Sequence, residues 1–86
     1  MTYDEAKAIV SRVLHTGGVA NRIGPLLEEY TRLTARGNLD QARETARTID
    51  DLAGYRDDGR WVGAAEITAA FQRCGTYGLA PEWATR

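Results

Sequence analysis

Apolar residues recur along this chain at spacings of three and four, with glycine-marked breaks and one Gly-Pro step between them. Tyr3, Ala6, Ile9 or Val10, Val13 and Leu14 give one such stripe, with Asp4, Glu5, Lys7, Ser11 and Arg12 mostly on the other face. Thr2 precedes it with Glu5 three residues on, the spacing of a capping box, and Gly17-Gly18 follows it. A helix over about 2–15 is expected. Gly24-Pro25 then reads as a helix start, since proline at the first helical position gives up an N–H that has no partner there anyway. Leu26, Leu27, Tyr30 and Leu33 continue the stripe to Arg36, and Gly37 suits the C′ position, giving a helix over about 25–36.

Asn38 or Asp40 caps a third helix, about 40–55, with Leu39, Ala42, Ala46, Ile49 and Leu52 or Ala53 on its apolar face. Its outer face is charged: Gln41, Arg43, Glu44, Arg47, Asp50, Asp51. A fourth helix, about 61–74, places Trp61, Ala64, Ile67, Phe71 and Cys74 on one side, and Gly75 ends it. Residues 76–86 read as an irregular tail. No stretch alternates with period two for long enough to predict a strand. The expectation is one all-α domain over residues 1–86, a small bundle of about four short antiparallel helices with an irregular C-terminal tail.

Composition narrows the function classes. Hydrophobic residues make up 43% and charged residues 27%, a globular balance. A chain of this size buries only about 60% of its unfolded surface, so its core is thin and a partner or second copy would add stability. Net charge is −1, with +1 over residues 1–43 and −2 over residues 44–86. Phosphate contacts dominate nucleic-acid affinity, so the missing basic surplus disfavours a nucleic-acid binder. The single cysteine, Cys74, excludes an intrachain disulfide and a multi-cysteine zinc site. The first residues carry no apolar signal core, and no run approaches the roughly 20 apolar residues of a membrane span. A cytoplasmic location is expected. Ten arginines to one lysine fit the codon usage of a GC-rich bacterial or phage genome.

No catalytic constellation emerges. His15 and Cys74 are the only nucleophile–base types, but nothing in their spacing brings them together; they read as a helix-terminal histidine and a buried small side chain. Asp57-Asp58-Gly59 lacks the alternating acids and distal Glu of a calcium loop, and Asp50-Asp51 is similar; both read as solvated acids. Gly17-Gly18 lacks the residues of a phosphate cradle. No enzyme, metal or cofactor is expected.

Ile9 to Leu26 has the spacing of a helix-turn-helix, with Asn21 and Arg22 as contacting side chains and Pro25 inside the would-be recognition helix. A DNA-binding regulator is the alternative expectation. Trp61-Val62-Gly63 resembles the Trp-x-Gly turn of a family of small secreted helical-hairpin proteins. There the turn lies between two long helices near mid-chain; here it comes late, and the family's Tyr-x-x-x-Asp/Glu signal does not follow Tyr77. The three-residue match is not carried further.

Protein-binding hot spots are enriched in Trp, Tyr and Arg, and these gather in the last third of the chain. Tyr55, Arg56, Arg60, Trp61, Tyr77 and Trp83 are therefore the candidate partner-binding residues, with another protein or a second copy as partner. For Trp61 and Trp83 the competing role is that of lids on the bundle. A non-enzymatic protein-binding module, such as a small bacterial or phage accessory or inhibitor protein, is the expected function.

Overall fold

A computed structural model describes residues 1–16 and 19–75. Four helices carry the fold, α1 Tyr3–Leu14, α2 Ala20–Ala35, α3 Leu39–Ala53 and α4 Ala64–Arg73, and a short antiparallel hairpin, β1 Tyr55–Asp57 and β2 Arg60–Val62, sits between α3 and α4. The helical bundle agrees with the sequence; the hairpin, the start of α2 and the start of α4 correct it.

Helix α1 begins where its capping residues place it. The Thr2 hydroxyl accepts from the Glu5 N–H at 3.2 Å and donates to the Glu5 carboxylate at 3.0 Å, so the Glu5 side chain reaches back to the capping hydroxyl rather than to the Thr2 backbone N–H. Ala6, Val10 and Val13 are fully buried, whereas Tyr3, at the end of the same stripe, is exposed.

Helix α2 starts five residues before Pro25. Val19 and Ile23, both buried, extend the stripe of Leu27 and Leu33 backwards at helical spacing, and this burial outweighs the proline. Pro25 and Asn21, one turn apart, are both exposed, so the Asn21 carbonyl that loses its N–H partner faces water. The C-terminus follows the sequence reading. Gly37 has φ +76°, its N–H donates to the Thr34 carbonyl, and the Asn38 N–H donates to the Leu33 carbonyl, the paired bonds of a Schellman turn.

This three-residue turn folds α3 back along α2. Tyr30 and Thr34 line one groove with Leu39, Ala42, Arg43 and Ala46, while Arg22 lies beside Thr48, Asp51 and Leu52 at the other end, so the two helices run antiparallel along their length. Ala42, Thr45, Ile49 and Ala53 turn inward, but Leu39, expected on the apolar face, is exposed. Helix α3 stops at Ala53, just short of its expected end.

The predicted fourth helix loses its first turn to the hairpin. Asp58 and Gly59 have φ +53° and +81°, and positive φ at both central residues is the mark of a type I′ turn, whose twist matches that of paired strands. The register pairs Tyr55 with Val62, Arg56 with Trp61 and Asp57 with Arg60. Trp61 is therefore a strand residue rather than the start of α4. Val62 points into the core.

Helix α4 is the most enclosed. Ala64, Ile67, Thr68, Ala70 and Phe71 are buried, packed chiefly against α1 and also against α3 and α2. Ala65 and Ala69, on its other side, are exposed. Its first N–H has no cap from Gly63; Ala64 N donates instead to the Asp50 Oδ1 on α3 at 2.7 Å. Asp50, expected as a solvated acid, is thus a half-buried structural cap. The core joins Ile9, Val10 and Val13 to Ile23, Leu27, Ile49, Val62, Ile67 and Phe71.

Candidate interaction surface

Alternation along three-residue strands gives the hairpin two faces. Arg56 and Trp61, paired in register, share one. Tyr55, Asp57 and Arg60 share the other with buried Val62.

On the first face Trp61 is 46% exposed. Its indole lies over Gly54 and Gly63, the two residues flanking the hairpin, and occupies the space that a Cβ at either position would need. A Cβ on Gly63 would stand 2.8 Å from the indole Nε1 and 2.8 Å from the Asp50 Oδ1. The ring is seated on bare backbone, with its outer surface in solvent. Arg56 beside it is exposed, and its guanidinium donates to the Gly59 carbonyl at 3.5 Å, across the turn.

The second face meets α1 and α4. Tyr55, Asp57 and Arg60 border an open cleft of about 370 Å³ whose other walls are Met1, Glu5, Ala8, Ile9 and Arg12 of the α1 region and Glu66 of α4. The Arg12 guanidinium lies 4.6 Å from the centre of the Tyr55 ring, within cation–π range. Arg60 forms an ion pair with Glu66, tying β2 to the first turn of α4. That hydrogen bond holds the Glu66 carboxyl below the usual carboxylate range. Partial burial, and then the Asp57 charge, push the Tyr55 phenol pKa up. Among the described residues, the cleft opposes the acids Glu5, Asp57 and Glu66 to the bases Arg12 and Arg60.

The predicted binding residues are therefore divided. Arg56 and Trp61 look outward together, while Tyr55 and Arg60 look into the cleft. Tyr77 and Trp83 lie outside the described residues, as do the tail and Gly17-Gly18. Arg12, Glu5, Asp57 and Glu66 are not among the predicted binding residues: they come from three separate elements, and only the folded chain brings them to one cleft.

The remaining chemistry-bearing residues take structural places. The His15 Nδ1 stands 2.7 Å from the Ser11 carbonyl, which can only accept, so this nitrogen carries the hydrogen. Cys74 caps the end of α4, and burial pushes its thiol pKa up, against the opposing pull of Arg73 and Lys7. Among the described residues, no three His, Cys, Asp or Glu side chains are grouped to hold a metal, and no helix is long and apolar enough to cross a membrane. Helices α1 and α2, the pair a helix-turn-helix would need, pack chiefly on other partners, α1 on α4 and α2 on α3. No protein-family model matches the chain, and neither a curated protein nor a solved structure matches it.

Proposed function

We propose that this chain is a non-enzymatic binding module that holds a partner protein against the Arg56/Trp61 face of its hairpin, serving as a small accessory or inhibitor protein of a bacterium or phage. The observation that carries the reading is the half-exposed Trp61, fixed over two glycines at the base of a tight hairpin with an exposed arginine beside it. A fixed aromatic ring loses little conformational freedom on binding, which is why Trp and Arg dominate interface energetics. Covering the outer half of an indole removes on the order of 100 Å² of apolar surface, worth about 2.5 kcal/mol. Tyr55 and Arg60 serve this face from behind: they hold the hairpin against α1 and α4.

The test compares wild-type, Trp61→Ala and Arg56→Ala proteins as bait in extract of the native host, with binding of the captured protein then measured by calorimetry. Trp61→Ala should weaken binding by at least about thirtyfold and Arg56→Ala by about tenfold. Helix content should be unchanged. A partner that binds all three equally, or no specific partner at all, overturns the reading.

A further inference from the structure

At the end of α3 remote from the hairpin, Leu39 is 56% exposed, the most exposed of the large hydrophobic side chains among the described residues. It stands at the edge of a groove of about 150 Å³ between α2 and α3, lined by Tyr30, Thr34, Leu39, Ala42, Arg43 and Ala46. Ala42 and Ala46, one turn apart on α3, leave the groove low, and small residues are what let a second helix approach closely. A projecting aliphatic side chain thus sits next to a hollow of the size that would take one.

The charges beside it have the same arrangement. Asp40 and Arg43, one turn apart with side chains 99% and 76% exposed, form an ion pair at 4.0 Å within the chain, which association of two copies exchanges for two pairs between them. Knob beside hollow and acid beside base make a patch that is complementary to itself after a half-turn. We propose that two copies of this chain associate about a two-fold axis through this face. Leu39 of each copy enters the Ala42/Ala46 groove of the other, and Asp40 of each meets Arg43 of the other. The apolar patch is small beside the roughly 1,200–2,000 Å² buried in a tight complex, so the dimer is weak and concentration-dependent. This surface is separate from the hairpin: the fourteen steps along α3 from Leu39 to Ala53 rise about 21 Å.

Sedimentation equilibrium on the full chain tests the proposal. Wild-type protein should pass from monomer to dimer as its concentration rises to about 1 mM. Leu39→Asp should weaken association at least tenfold with the helical spectrum intact, because an acid at the start of α3 suits the helix dipole. Asp40→Arg and Arg43→Asp should each weaken self-association about tenfold, since each turns both facing pairs into like charges. An equal mixture of those two variants should associate again, because one copy then presents two bases and the other two acids. A wild-type chain monomeric throughout, a Leu39→Asp variant that dimerises like wild type, or a mixture no tighter than its components overturns the proposal.

Discussion

One carboxylate decides where α4 begins. Gly63 has no side chain to offer the first N–H groups of the helix, and Asp50 supplies an oxygen from the end of α3, 2.7 Å from the Ala64 nitrogen. Its charge also opposes the positive end of the helix dipole. Asp50→Ala should therefore lower unfolding free energy by about 1–2 kcal/mol, and Asp50→Asn by less than half of that, because the amide oxygen still accepts. Urea unfolding of the three proteins measures both. The contrast with Thr2 and Gly37 is instructive. Their partners, Glu5 and the Leu33 and Thr34 carbonyls, lie within five residues, so residue type and spacing alone reveal the caps. The partner of Asp50 lies fourteen residues on, and nothing in Asp50-Asp51 marks one acid as structural and the other as solvated.

Among the elements, the hairpin shows how local signals compete. Asp58-Gly59 is a strong turn dipeptide, but arms of three residues are too short to show alternation, and Trp61 fits the helical spacing of Ala64, Ile67 and Phe71 equally well. The pairing of Arg56 with Trp61 decides between them. In α2 the opposite error arises: Gly24-Pro25 punctuates so strongly that the stripe running through it from Val19 is hidden. Residue type alone points to Tyr55, Arg56, Arg60 and Trp61, with Tyr77 and Trp83 outside the described residues, but not to the two-sidedness of the hairpin, which depends on strand alternation. The Arg60–Glu66 pair gives the hairpin a pH dependence with a defined sign. The Glu66 pKa is lowered in the folded chain by its bond to Arg60, so this contribution is present above the ordinary carboxylate range and is lost as pH falls through the lowered value. The pair is largely exposed, so the effect is small. Thermal midpoints of wild type and Glu66→Gln should differ at neutral pH and converge in acid.

At the scale of the whole molecule, α1 with α4 and α2 with α3 are two helix pairs, and α4 also packs against both helices of the second pair. Phe71, the one phenylalanine, is fully buried on it and is the largest side chain in the core. Phe71→Ala should cost about 3–5 kcal/mol, a large part of the stability of so small a domain, and Phe71→Leu less than about 1.5 kcal/mol. Thermal unfolding followed by circular dichroism should show the first variant with a greatly lowered and broadened transition and the second close to wild type.

The cap that Asp50 gives to Ala64 has a further result for the segment it encloses. That bond holds the base of the hairpin to the bundle and the Arg60–Glu66 pair holds the strand pair next to the turn, so that the exposed Asp58-Gly59 turn at the tip is the part outside both clamps. Loop-closure entropy grows slowly with length, about 0.6 kcal/mol for each doubling, so the tip is the place where this scaffold tolerates added residues. A recognition peptide spliced between Asp58 and Gly59 would be displayed next to Trp61 on an otherwise unaltered bundle, which makes the chain a small host for grafted loops.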